Sequence, residues 1–355
     1  MKNPSAAELI ALSGLDDLSS LAIIGLSKNA GKTTSLNHLI QAWTEAEKER
    51  PLALTSVGRD GEARDIVSGI CKPRIYLPHG HLLATSAASL SRCDALLDIR
   101  ELTGIRSALG EIVIGKMLSD GYVELAGPSQ ASELKHCEAL LRQEEPDCLY
   151  IVDGALSRRS PAGGGITEAV LLAVSYGKSA AAATLLERVR HAVKLLTLPG
   201  VDAGVRELIL SAISREEGLR ALALDENTGS VRLLTAESLL GEAERLHDFY
   251  RVSDRLLFLR GAITEALLAE LLKLPDLQGK QFVVEDGSRL FIEKNTVERL
   301  AAAGVELKVL YPLSLRLISF NPQMEDGSPV NNPGIVDELR RAVSVPVYDL
   351  GPALA

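Results

Sequence analysis

The sequence predicts an α/β fold: a doubly wound, mostly parallel sheet with a further α/β region in the C-terminal half. Short β-branched runs alternate with segments of helical period along most of the chain, which is the pattern of strands joined by crossover helices. Val, Ile, Leu and Ala carry the apolar mass while aromatic residues make up only 4%, as expected where helices cover both faces of a parallel sheet. A chain of 355 residues also exceeds the size at which one core usually stops growing. Two regions are therefore expected: residues 1–200 with a β-hairpin insertion near 111–125, and a C-terminal region over 201–355.

In the first region the apolar runs predict strands at Leu21–Gly25, Leu52–Val57, Tyr122–Leu125, Cys148–Asp153 and Ala169–Ser175. Helical spacing of apolar residues predicts helices over Lys32–Lys48, Ala131–Glu144 and Ser179–Val193. Ser119-Asp120-Gly121 lies between "EIVIGKML" and "YVEL", and Asp-Gly between two apolar runs is a hairpin signal. Ser129, in "ELAGPS", stands where a helix N-cap would. In the second region strands are expected at Leu256–Arg260, Gln281–Val284, Val305–Leu310 and Leu315–Phe320, and helices at Val205–Leu219, Thr264–Leu272, Thr296–Ala303 and Ile335–Val343. Turn-rich stretches such as "DENTGS" and "NPQMEDGSPVNNPG" connect them.

A net charge of −9 argues against a general nucleic-acid or acidic-membrane binder, which needs excess Lys and Arg to displace counterions. Cys71, Cys93, Cys137 and Cys148 form no C-x-x-C pair and read as buried free thiols rather than a zinc site or disulfide framework. Acidic residues interrupt the N-terminal stretch, which excludes a secretory signal, and the longest apolar tract contains Glu168 and Lys178. The chain reads as cytoplasmic.

The chemistry concentrates in "LAIIGLSKNAGKTTSLNHLI". A buried-strand run leads to Gly25, a short loop of Ser27, Lys28, Asn29 and Ala30 reaches Gly31, and Lys32, Thr33 and Thr34 open a helix with Leu36, Leu39, Ile40 and Trp43 on one face. Such a strand, glycine turn and helix start make a phosphate-binding loop, because backbone N–H groups and the positive helix end converge on the anion. Lys32 would reach the β- and γ-phosphates of ATP, Thr33 Oγ would ligate Mg²⁺ and Thr34 would lie near the α-phosphate. A Mg-nucleotide site also needs carboxylates at strand ends. Asp153 closes the strand "CLYIVD" before Gly154, and Asp60 follows the second strand between Gly58 and Gly61, where it either approaches Mg²⁺ or makes the turn. "SRRSPAGGG" (Ser157–Gly165), with Arg158 and Arg159, is either a segment ordered by a γ-phosphate or a solvated loop. His79 and His81 are spaced to share a strand face but lack a third ligand nearby, which favours a structural role. Asn321 would read an adenine edge or make an Asn-Pro turn.

Five residues separate Gly25 from Gly31, one more than the commonest phosphate loop has. This spacing resembles the loop of dethiobiotin synthetase and of cobyrinic acid synthase type enzymes, in the branch that includes the ParA-like ATPases. Ser27 stands where ParA-like members carry a second lysine, and Lys28 comes one residue later. Over nearly the full length, "GLSKNAGKTTSLNHLI", "LTSVGRDGEARD", "KPRIYLPHG", "VELAGPS", "IVDGALSRRS" and "LISFNP" resemble the P-loop subunit of the lysine 5,6-aminomutase reactivase family. The resemblance implies a P-loop NTPase fold and an ATPase that renews the cofactor of an adenosylcobalamin- and pyridoxal-phosphate-dependent aminomutase. It further implies a second reactivase subunit as partner, allows a homodimer, and leaves partner contacts to the C-terminal half. Two other classes fit the loop: a small-molecule ligase that passes the γ-phosphate to a carboxylate, and a nucleotide-bound scaffold with little hydrolysis.

Overall fold

The structure, a computed structural model, describes residues 6–27, 29–58, 74–154, 166–179, 181–239 and 243–351. By its contacts the chain forms two compact units, Met1–Arg190 with Ser314–Ala355, and His191–Leu313.

In chain order the first unit begins with α1 (Ala6–Ser13), β1 (Ser20–Gly25), α2 (Lys32–Glu45) and β2 (Leu52–Ser56). It continues through β3 (Ile75–Leu77), β4 (Leu82–Ser86), α3 (Ala87–Leu90), β5 (Leu97–Ser107), β6 (Gly110–Met117), β7 (Gly121–Val123), α4 (Ala131–Glu144), β8 (Leu149–Asp153) and β9 (Ala169–Gly177). Then come α5 (Ala182–Leu196), α6 (Ala203–Arg215), β10 (Leu219–Asp225), β11 (Val231–Thr235), α7 (Ala243–Phe249), β12 (Asp254–Leu259) and β13 (Ile263–Thr264). After α8 (Glu265–Leu271), β14 (Gln281–Val284), β15 (Leu290–Phe291), α9 (Lys294–Ala302) and β16 (Glu306–Val309), the chain closes with β17 (Ser314–Met324), α10 (Ile335–Ala342) and β18 (Val347–Asp349).

A nine-stranded sheet of order β18-β17-β9-β1-β8-β2-β4-β6-β5 organises the first unit. Its strands are parallel from β18 to β4, and β6 and β5 add an antiparallel edge. Every residue of β1, β2, β8 and β9 is buried, which explains why these strands read as continuous apolar runs rather than alternating ones. Leu36, Leu39, Ile40 and Trp43 of α2 are buried in the same core as Leu21 and Ile23 of β1. Burying each such side chain contributes roughly 1.5–3 kcal/mol relative to exposure. The indole N–H of Trp43 is satisfied by Arg50 O at 2.8 Å.

The second unit is a five-stranded sheet of order β11-β10-β12-β14-β16, in which β12, β14 and β16 run parallel. Its core includes Phe282, Leu257, Leu268 and Leu300.

The structure divides the chain differently from the 1–200 and 201–355 expectation. Residues from Ser314 onward return to the first sheet, where β17 pairs with β9 along Ser314 to Met324. An apolar run specifies a strand but not its neighbour, and the pairing is formed across more than a hundred residues of chain. The hairpin at Ser119-Asp120-Gly121 is likewise corrected. The hairpin joins β5 to β6, with Ser107 facing Gly110 across Ala108-Leu109. Gly110, at φ 97°, is the left-handed residue that follows the two turn residues, as in a hairpin turn closed by a glycine bulge. β7 pairs instead with β3 in a separate two-stranded sheet. The N-cap of α4 is Gln130 rather than Ser129, and its N–H donates to the Glu133 carboxylate at 3.2 Å. Among the thiols, Cys137 and Cys148 are buried but Cys93 is only half-buried; Cys71 lies outside the described residues. Among the described residues, no helix is long and apolar enough to cross a membrane.

Candidate phosphate-binding site

β1 lies between β8 and β9. From β1 the chain moves past β8 to β2, whereas from β8 it moves across β1 to β9. The direction of connection reverses at these neighbouring strands, and α/β sheets bind ligands at the carboxyl ends of strands where it does so.

The loop after β1 is held on each side. Gly25 is in register with Ala173, and Leu26 N donates to Ala173 O at 2.9 Å, extending the ladder one residue beyond the strand. Asn29 then takes a φ of 55° and Gly31 a φ of 91°, both in the left-handed region that Asn and Gly tolerate best. Gly31 is also short of space, since a Cβ there would lie 2.9 Å from both Cβ and Nδ2 of Asn321. It caps α2, and Ser35 fixes the first turn: its N and Oγ each donate to Gly31 O at 2.8 Å, and its hydroxyl meets that of Ser319 at 2.6 Å.

The first N–H groups of a helix have no intrahelical acceptor and carry its positive dipole end. In α2 these positions are Lys32, Thr33 and Thr34, all half-buried, and no acidic residue lies in the first turn to neutralise them. Ala30 is buried, and Ser27 Oγ lies 3.5 Å from Ser175 Oγ. Asp153, the last residue of β8, is level with Ile23 of β1 and Ser56 of β2. It is 4% exposed, and its main chain is locked by Val57 N to Asp153 O at 2.9 Å, with Gly154 N donating to Ile23 O at 3.0 Å. The structure thus brings the loop and Asp153 to the same edge of adjacent parallel strands.

Asn321 joins them from the far end of the sequence. It pairs with Ser175, is buried, and donates from Nδ2 to Gln323 Oε1 at 3.3 Å while packing on Gly31. Lys28, Asp60 and the Ser157–Gly165 segment lie outside the described residues. His81 is not placed with the loop. Its Nδ1 accepts Leu52 N at 3.1 Å, at the beginning of β2 rather than its carboxyl end, and burial pushes its pKa down to about 4. His79 donates its backbone N–H to Asp120 Oδ1 at 2.8 Å.

Sequence reasoning marked the turn-rich stretch that holds Glu325 but missed its contact with Asn29, and it missed the contacts of Ser35, Ser175 and Ser319. The available signal was a serine inside an otherwise apolar strand, in "LLAVSYG" and "LISFN". Searches of protein-family models, of curated proteins and of solved structures each found no match to this chain.

The donor set suits a magnesium nucleotide. Mg²⁺ keeps several waters and takes one or two carboxylates together with phosphate oxygens, and Thr33 and Asp153 are oxygen donors, a hydroxyl and a carboxylate. Among the described residues no group of three or more His, Cys, Asp and Glu could hold a metal by itself.

Proposed function

We propose that this protein is a Mg²⁺-dependent nucleoside triphosphatase of the P-loop type, using ATP. In this reading it works as a chaperone-like reactivating factor for an adenosylcobalamin-dependent aminomutase, together with a second subunit. The observation that supports the nucleotide reading is Gly31 capping α2 in a left-handed conformation just after β1, whose neighbouring strand β8 ends in the buried Asp153. The partner rests on the family resemblance of the loop and strand motifs.

In this reading the N–H groups of residues 29–34 receive the phosphates, and Lys32 compensates the charge of the β- and γ-phosphates. Thr33 Oγ and the Asp153 carboxylate hold the metal and its waters, and Asn321 supports the loop from behind through Gly31. Bound Mg·ATP supplies a transferable phosphoryl group and a cation that offsets charge on it. Differential binding of the triphosphate and diphosphate states to a partner is the free-energy source for opening that partner.

Calorimetry with Mg·ATP and phosphate release with and without the aminomutase test this. Binding that disappears in Lys32→Ala, and turnover that the aminomutase accelerates, are expected. ADP formation only in the presence of a small carboxylic acid would shift the reading to a ligase.

A further inference from the structure

We propose that the Asn29 side chain is a positioning residue that ties the phosphate loop to a preformed turn just after β17, so that the loop and the C-terminal hairpin act as one element. The inference rests on the nucleotide reading above and adds to it the route by which the loop communicates with the surface.

Asn29 Nδ2 donates to the main-chain O of Glu325 at 2.9 Å, across 296 residues of chain. The acceptor is itself fixed. Glu325 N donates to Gly177 O at 2.7 Å, Met324 N to Ser328 O at 2.8 Å and Val330 N to Pro322 O at 2.9 Å, which closes a hairpin over Pro322–Val330. Asp326 completes it by accepting the N–H and hydroxyl of Ser328 at 2.9 and 2.6 Å. The tether therefore joins two differently built parts, a glycine-containing loop and a turn with its own hydrogen bonds.

Asn29 has a backbone reason to be there, since its φ of 55° is tolerated by Asn and favours Gly still more. Backbone conformation alone does not require a donor aimed at Glu325 O. A nucleotide drawing in the loop N–H groups must either keep the Asn29 tether or break it. In both cases the hairpin senses the loop, and Asp326, Ser328 and Pro329 are exposed there.

The test perturbs each end separately. Asn29→Gly keeps the left-handed conformation and removes the donor; Gly327→Ala, at a φ of 85°, disturbs the acceptor's turn and leaves the loop sequence untouched. Both variants are expected to raise the Kd for Mg·AMP-PNP, measured by calorimetry, by about five- to tenfold, the size of one net hydrogen bond. KM for ATP should rise with kcat nearly unchanged, because loop order serves ground and transition states alike. In both, amides of residues 324–328 should exchange faster even without nucleotide. Wild-type affinity in both variants, or weakening by Asn29→Gly alone, would overturn the tether and leave only the loop's own backbone preference. Absence of nucleotide binding to the wild type would instead overturn the nucleotide reading itself, and the inference with it.

Discussion

The two sheets share an architectural feature and use it in opposite ways. Each contains adjacent parallel strands whose carboxyl ends open toward helix starts. In the first unit that edge carries Gly31 at φ 91° and a 14-residue helix with no acid in its first turn. In the second, α8 begins with Glu265, whose carboxylate accepts Glu293 N at 2.9 Å and also the Thr296 hydroxyl. The ends of β12 and β14 are closed in the same manner. Glu285 accepts Gly261 N at 3.1 Å and pairs with Arg260 at 3.5 Å, while Arg289 lies 3.7 Å from the buried Asp286. Burial raises the Asp286 pKa, and its carboxylate accepts Ser288 N at 2.9 Å. Parallel topology offers an edge. In the second unit the fold's own carboxylates accept from N–H groups at that edge, whereas in the first no acid lies in the first turn of the helix.

The strongest way to break this comparison is to remove the charge at the open edge. Lys32→Ala is expected to lower triphosphate turnover by at least ~10²-fold and to weaken triphosphate binding, without unfolding the chain. Arg260→Ala, at the closed edge, should leave nucleotide affinity unchanged and cost only stability. Calorimetry and phosphate release on both variants decide it, and equal losses in the two would mean that the edges are not different in kind. Asp153→Asn should retain nucleotide yet lose turnover by about 10²-fold, because the amide cannot supply the negative charge that orders Mg²⁺ and water. Wild-type turnover in that variant would remove Asp153 from the site.

Much of the open edge was legible in the sequence because its parts are local. "LAIIG" predicts the strand, "GKTTSL" the helix start, and "CLYIVD" the neighbouring carboxylate, and each element forms where expected. The helix over Ala131–Glu144 forms with the expected bounds. What stayed hidden depends on strand order. Asn321 was a candidate from its strand-end position, but its packing on Gly31 and the contact of Glu325 with Asn29 follow from the placement of β17 beside β9, a pairing between distant segments that no local period encodes. The Asp-Gly signal misled for a related reason: Asp120 caps His79 N, and Gly121 enters a strand that pairs with Leu77. The closed edge of the second unit was invisible too, because Glu285 and Arg260 look like ordinary surface charges until the sheet sets them side by side.

The two edges also differ in how they use glycine, and this predicts a smaller effect. A Cβ at Gly287 would lie 1.9 Å from Leu195 O, a main-chain atom with little freedom to move. Gly287→Ala should therefore destabilise by about 1–3 kcal/mol or more. A Cβ at Gly31 would instead meet the Asn321 side chain at 2.9 Å. Gly31→Ala is expected to impair nucleotide binding more than it lowers the melting temperature. Thermal melts paired with calorimetry sharpen the contrast: the first glycine is structural packing, the second shapes the loop. The opposite ranking would reverse that assignment.

The smallest effect separates the two ends of the first sheet. His81 sits at the beginning of β2, where its Nδ1 accepts Leu52 N, and burial holds its pKa near about 4 against 6.5 for an ordinary histidine, with His79 lowering it further and Asp120 opposing. Below the ordinary value the unfolded chain takes up a proton that the folded chain refuses. Stability must then fall as pH drops from 6.5 toward 4. The loss is on the order of 1 kcal/mol at pH 6 and has a ceiling of about 3 kcal/mol near pH 4. His81→Asn keeps an acceptor for Leu52 N but does not titrate, so its melting temperature should decline less than the wild type's between pH 7 and pH 5. Superimposable profiles would show that His81 is protonated in the fold at little cost. A steeper profile in the variant would place the titrating group elsewhere, and either result would remove the histidine from the amino end's contribution to acid sensitivity.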